Sequence, residues 1–214
     1  MNLAKLKTTV SLSVCVIVMG GCTSNRHDVF PTRSPTTQTS TPSAIRTEPP
    51  DTRPVVDSMP YWCGLIPKEA FRRVTGVVGN FIESSSSSTA DDGTCILRDL
   101  EGHGELGVGW SLIVGKDVIA KRIERIRTDN VMRSNPKTLP SRLGSGFTAY
   151  ASSEDESAPY VVAAVFRCGR REPMINIDLH RVSQRRNATK DLTDLMRIAQ
   201  NRFGEFHHCS PGPL

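Results

Sequence analysis

Asp178 and His180 form a pair of residues whose types and spacing could support catalysis. They stand two positions apart in a run with strand-like alternation, so both side chains project from one face of the predicted strand. A carboxylate and an imidazole so placed, with Ser183 close in sequence, could transfer protons in acid/base catalysis. Solvated side chains on a sheet surface give the same pattern, and we expect that arrangement. We therefore assign no catalytic residue from the sequence.

A second group, His207, His208 and Cys209, has residue types that bind metals. Recurrent zinc sites place their ligands at spacings such as C-x-x-C or H-x-x-x-H, and no such spacing accompanies these three residues. We therefore expect no metal and no cofactor.

The N-terminal segment has the features of a secretory leader. Lys5 and Lys7 precede an apolar stretch, Val10–Met19, which is shorter than the roughly 20 residues needed to span a membrane. Gly20 and Gly21 then precede Cys22, an arrangement that resembles a bacterial lipobox, in which the cysteine is lipidated before the leader is cleaved. We predict a signal peptide over residues 1–21 and lipidation of Cys22.

Residues 22–59 differ sharply in composition from the remainder of the chain. Pro, Thr and Ser dominate this stretch, and it has too few apolar residues to offset the entropy cost of ordering a chain. We predict a disordered tether that holds a single domain, residues 60–210, away from the membrane, followed by a short tail, 211–214. The formal net charge of the whole chain is +5, and loss of the two leader lysines lowers it by two. So small a charge argues against nucleic acid as a partner.

Four cysteines remain in the predicted mature domain: Cys63, Cys95, Cys168 and Cys209. Outside the cytoplasm an even set of cysteines normally forms disulfides, and four cysteines allow three connectivities. We expect pairing between sequence neighbours, Cys63 with Cys95 and Cys168 with Cys209, which closes two loops that do not cross.

Hydrophobic periodicity gives the elements that must position these residues. The predicted helices cover Pro67–Gly76, Asp117–Asp129 and a closing stretch through Leu192–Phe203, which Asn187 or Thr189 could cap. The predicted strands are Cys95–Arg98, Leu106–Val114, Phe147–Ala151, Tyr160–Cys168 and Met174–Val182, with a loop over Phe81–Gly93. This order, α-β-β-α-β-β-β-α, predicts an α+β fold with an antiparallel sheet of about five strands and its helices on one face.

Two short motifs resemble the DUF3558 family of uncharacterised actinobacterial surface lipoproteins. They are Tyr61–Ala70, which reads YWCGLIPKEA, and Thr94–Leu97, which contains the second cysteine. The resemblance implies a lipoprotein on the cell surface and provides no catalytic residues. We accordingly expect a lipid-anchored protein on the extracytoplasmic face of the membrane. Its domain is expected to bind an envelope protein, a lipid or a wall polymer, with an envelope hydrolase or a purely structural lipoprotein as the alternatives.

Overall fold

The computed structural model describes residues 46–47, 51–89, 91–101, 103–112, 117–128, 136–150 and 160–214, all within one unit that spans Thr41–Leu214. The predicted leader, Cys22 and most of the predicted tether lie outside these ranges. The main sheet has seven strands: β1 (Phe81–Thr89), β2 (Asp92–Asp99), β3 (Gly104–Ser111), β4 (Lys137–Thr138), β5 (Ser145–Tyr150), β6 (Tyr160–Val165) and β7 (Met174–Leu179).

All neighbouring strands of this sheet are antiparallel, in the order β1-β2-β3-β7-β6-β5-β4. The chain thus builds β1 to β3 as one meander. It then crosses to the opposite edge and returns through β4 to β7, so that β7 pairs with β3. Three helices accompany the sheet: α1 (Lys68–Thr75), α2 (Val118–Thr128) and α3 (Ala188–His207). The antiparallel α+β class predicted from the sequence is confirmed.

Local signals set the ends of α1 and α3 as predicted. Pro67 precedes the first residue of α1, and Gly76 ends the helix with a φ of +69°, a conformation that glycine adopts without steric cost. The side chain of Asn187 accepts a hydrogen bond from the backbone N–H of Lys190, so Asn187 rather than Thr189 caps α3.

The helices lie on both faces of the sheet, which corrects the prediction that they share one face. On one face, Ile175, Ile177 and Leu179 of β7 form a core with apolar residues of α1 and α3. On the other face, Val161, Ala163 and Val165 of β6 pack with Ile119 of α2. The apolar run of β6 therefore places hydrophobic side chains on both faces of the sheet, and a helix must cover each face.

The predicted loop over Phe81–Gly93 is wrong, because Phe81–Thr89 forms an edge strand paired with β2. Five consecutive serines give no apolar alternation, but the backbone of a serine can join a ladder like that of any other non-proline residue. The strand is anchored at its start by the ring of Phe81, which makes edge contacts with the rings of Trp62 and Phe71. Together with the two-residue β4, this strand raises the count from about five to seven and changes the order to α-β-β-β-α-β-β-β-β-α.

Disulfides join Cys63 to Cys95 and Cys168 to Cys209, the pairing expected from the sequence, with Cα–Cα distances of 5.7 and 5.3 Å. The first bond ties the segment before α1 to β2. The second ties the end of α3 to Arg167–Cys168, a two-residue strand after β6 that pairs with Pro211–Gly212. Each disulfide therefore connects a helical segment to the sheet.

The chain before residue 60 also packs on the domain. Val55 is buried in the core, and the Arg186 side chain donates to the backbone oxygens of Asp51 and Arg53. Further two-residue pairings join Arg46–Thr47 to Val77–Val78 and Tyr61–Trp62 to Ile66–Pro67. The packed chain thus begins before residue 60, with contacts from Asp51 and from Arg46–Thr47. Within the described ranges, the helices lack the combination of length and apolar character that a membrane span requires.

Candidate functional site

Asn176 and Asp178 of β7 lie opposite two glycines of the neighbouring strand β3. Asn176 is paired with Gly109 and Asp178 with Gly107. A Cβ atom at position 109 would stand 2.4 Å from Oδ1 of Asn176, so any larger residue would collide with that amide. The two glycines therefore make a flat floor on which the polar side chains of β7 rest.

The carboxyl group of Asp178 is largely shielded from solvent. Nδ2 of Asn176 donates a 2.8 Å hydrogen bond to Oδ2 of Asp178, and Nη2 of Arg122 from α2 lies 4.0 Å from Oδ1. Burial raises the pKa of Asp178, against the opposing effects of the Arg122 charge and the Asn176 hydrogen bond. Its side chain is 25% exposed, so the expectation of a freely solvated residue does not hold for Asp178.

Beside this floor, the same face of β1 and β2 carries exposed hydroxyl side chains around the partly buried Ile96. Register places Ile96 opposite Gly107 and Thr94 opposite Gly109, with Ser84 and Ser86 following on β1. Directly opposed residues share a face of the sheet. We name this surface the polar half-face; it consists of Ser84, Ser86, Thr94, Gly107, Gly109, Asn176 and Asp178. Its serines and Thr94 are exposed, whereas Gly109 is buried.

Glu105 is a second buried carboxyl group, at the start of β3. Its side chain is only 1% exposed, and Oε1 lies 3.4 Å from Nη2 of Arg181. Burial raises the pKa of Glu105, while the charges of Arg181 and His180 act in the opposite direction. Three buried atoms here have no hydrogen-bond partner in the part of the chain that the structure describes: Oε2 of Glu105, Nδ1 of His180 and Nε of Arg181.

An irregularity in the ladder explains why this glutamate is buried. The register of β2 and β3 shifts between Leu97 and Arg98, which pair with Leu106 and Gly104 and leave Glu105 unpaired as the extra residue of a bulge. On its other edge, toward β7, the backbone oxygen of Glu105 accepts from the backbone N–H of His180 at 3.2 Å. A bulge redirects a side chain that regular alternation would place elsewhere.

The connection between β2 and β3 brings Asp99, Glu101 and His103 together. Oδ1 of Asp99 accepts from the backbone N–H groups of Glu101 and His103, at 2.9 and 2.8 Å. Its other oxygen, Oδ2, lies 3.0 Å from Nδ1 of His103. The hydrogen bond and charge of Asp99 raise the pKa of His103. Burial favours a higher pKa for Asp99, but the hydrogen bonds and charge of His103 outweigh burial and lower that pKa. We name these three residues the acid–histidine loop.

The structure does not assemble the catalytic and metal groups that the sequence suggested. Within the described ranges, no hydrogen bond or ion pair joins Asp178 to His180, and the backbone N–H of Ser183 donates to Val74 of α1. The sulfur of Cys209 is bonded to Cys168 and is therefore no thiolate ligand. His208 lines an open depression of about 560 Å³ at the end of α3, beside Glu205 and Pro211.

The arginines of residues 170–186 do not form one basic surface. Arg186 is 4% exposed and makes a two-point ion pair with Asp191 of α3, at 2.7 and 2.8 Å. Arg181 faces Glu105, and Nη1 of Arg171 lies 3.9 Å from Asp91. The charges of Arg181 and Arg186 are therefore engaged within the domain.

Sequence reasoning missed Glu105, Asn176 and the acid–histidine loop. The spacing of Asp99, Glu101 and His103, two residues apart each time beside a glycine-rich turn, was a signal that could have identified the loop. Glu105 carried no comparable signal, because its burial depends on the bulge. No protein-family model matches the chain, and no curated protein sequence or solved structure matches it.

Proposed function

We propose that the chain is a lipid-anchored protein of a bacterial envelope whose domain binds a polar envelope component on the polar half-face. The anchoring part rests on the leader and Cys22, together with the resemblance to the DUF3558 lipoproteins. Two disulfides within the described residues support an extracytoplasmic location, because such bonds form and persist in oxidising compartments.

The observation that carries the binding function is the placement of Asn176 and Asp178 over the glycine floor. Binding sites combine a fixed surface with a few polar groups that set orientation and specificity. Here the amide of Asn176, the shielded carboxyl of Asp178 and the exposed hydroxyls of β1 and β2 provide hydrogen-bonding groups on a regular sheet. A ligand rich in hydroxyl or amide groups, such as a wall polymer or a lipid headgroup, matches that chemistry.

The anchoring proposal is tested by Cys22→Ala in the native host. We expect the variant to be released into the medium or to stall unprocessed, because two acyl chains give the stable membrane attachment that one chain does not. The measurement is fractionation followed by mass spectrometry of the N-terminal peptide. A wild-type protein without acyl chains would refute the proposal.

The binding proposal is tested by recovering bound material from intact envelope and identifying its lipids, glycans and proteins by mass spectrometry. Full-length wild-type protein is compared with Asn176→Ala and Asp178→Asn, and Glu205→Gln on the exposed side of α3 is the matched control. We expect one component to be enriched by the wild type and the control and lost from both half-face variants. Equal recovery by all four proteins would contradict the assignment of the site.

An envelope hydrolase is the second candidate, and the buried Glu105 favours it. Carboxyl groups with raised pKa values that lie near histidine occur at acid/base centres. Esterase, peptidase and glycosidase assays of the purified protein beside Glu105→Gln test this alternative. A wild-type turnover that falls at least about a hundredfold in the variant would place hydrolysis ahead of binding.

A further inference from the structure

The acid–histidine loop combines three groups that bind divalent metals. Asp99 and Glu101 offer carboxylate oxygens and His103 offers an imidazole nitrogen, and one such atom from each lies within 4.8 Å of the other two. A mixed set of nitrogen and oxygen donors suits zinc, whereas calcium and magnesium prefer oxygen alone.

The distances between these atoms match a tetrahedral zinc site. Zinc bonds of about 2.0–2.2 Å place two ligands of a tetrahedron roughly 3.4 Å apart. Nδ1 of His103 lies 3.0 Å from Oδ2 of Asp99 and 3.7 Å from Oε2 of Glu101, values on either side of that separation. Only small side-chain movements separate the observed arrangement from coordination.

The backbone of the loop is held in place independently of any ion. Asp99 is 5% exposed, and its Oδ1 is engaged by the two backbone N–H groups of Glu101 and His103. That contact leaves Oδ2 directed toward the imidazole. A carboxylate fixed in this way is preorganised as a ligand, since little conformational entropy is lost when a metal binds.

A further, independent observation comes from Glu105. Its side chain is 1% exposed, one of its oxygens faces Arg181, and the other, Oε2, has no hydrogen-bond partner in the described part of the chain. Glu105 follows His103 by two positions in the sequence. Buried polar atoms are normally satisfied, so Oε2 of Glu105 is an acceptor that a cation bound at the loop could satisfy.

We propose that Asp99, Glu101 and His103 form a Zn²⁺ site at the β2–β3 connection, with Glu105 as the neighbouring carboxylate that stabilises the bound charge. His103 and Glu101 are 66% and 62% exposed, so the ion has access from solvent. Three protein ligands leave a coordination position for water or for a group of a bound molecule. The site stands apart from the polar half-face and does not depend on the binding function proposed above.

The test uses full-length protein, solubilised in detergent and stripped of metal, titrated with zinc against a chromophoric chelator. His103→Ala removes the nitrogen ligand, Glu101→Gln removes a carboxylate, and both positions are exposed, so both variants should fold. His208→Ala is the matched control, because it removes an exposed histidine at the far end of α3.

We expect zinc to bind the wild type and His208→Ala equally. Loss of outer-shell partners alone costs about 10–100-fold in metal affinity, so each loop variant should bind at least about tenfold more weakly. A wild type that binds zinc no more tightly than His103→Ala would overturn the proposal. A loss confined to His208→Ala would also overturn it, and would move the metal to the histidine pair at the end of α3.

Discussion

Removal of either disulfide should cost a large part of the stability of the domain. The two bonds join residues separated by 32 and 41 positions. In the chain-entropy model, loops of those lengths correspond to about 3.7 and about 3.9 kcal/mol, which is a large share of the roughly 5–15 kcal/mol that stabilises a typical domain. The perturbations are the paired replacements Cys63→Ala with Cys95→Ala, and Cys168→Ala with Cys209→Ala.

The two disulfides contribute nearly equal loop-entropy terms, but they lie in different parts of the domain. Cys95 is fully buried in β2, opposite Ser85 of the edge strand β1, so its loss also removes a packed sulfur from the core. Cys168 is also buried in the core, and its partner Cys209 follows the last turn of α3. We therefore expect both pairs of replacements to be similarly damaging, with early hydrogen exchange in β1 for the first pair. The second pair should loosen the end of α3.

The assay is urea unfolding of the full-length protein, followed by the fluorescence of Trp62 and Trp110, with hydrogen exchange to locate the change. Both variants should unfold at lower urea, and the m-value should rise because an unfolded chain without the bridge exposes more surface. A loss below about 1 kcal/mol for both variants would refute the reasoning, since it would mean that the bridges constrain the unfolded chain far less than their loop lengths require.

Three other substitutions test the remaining features. Asp178→Asn should stabilise the protein near pH 7 more than near pH 3. Burial raises the pKa of Asp178, so the wild type loses stability as the pH rises from the ordinary pKa of 3.8 through the raised pKa of the folded state. Equal shifts of the urea midpoint at both pH values would argue against this. Gly109→Ala should cost about 1–3 kcal/mol through its collision with Asn176, and calorimetry showing no loss would mean that the amide moves freely. Arg186→Ala should cost about 3–5 kcal/mol by leaving Asp191 buried without its partner, and adding Asp191→Asn should recover part of that loss; a double variant as unstable as the single one would count against the ion pair.

The sequence was most informative where local chemistry determines structure. Pro67 and Gly76 mark the ends of α1, and the alternation in Met174–Leu179 identifies β7 and its buried face. Asn187 caps α3 because a short polar side chain can accept a backbone hydrogen bond at that position. These elements depend on interactions within a few residues, and each could be predicted.

Features that depend on distant parts of the chain could not be predicted. The serines of β1 become a strand only because β2 lies beside them, and the position of α2 on the second face follows from the two-sided apolar character of β6. Glu105 is buried by a bulge whose existence depends on pairing with β2. The glycines at 107 and 109 likewise acquire their role only when Asn176 and Asp178 arrive from β7.

The way the chain enters the domain determines how it would respond to tension. A pull on the N-terminal side reaches the pairing of Arg46–Thr47 with Val77–Val78 and the contacts of Arg186 with Asp51 and Arg53 before it reaches any covalent link. Once those contacts break, the chain can peel away as far as Cys63, where the bond to Cys95 stops it. The residues from Arg46 to Cys63 give about 60 Å of extension at roughly 3.5 Å per residue. Under tension, the N-terminal segment would thus detach from the domain before any force acts on the main sheet.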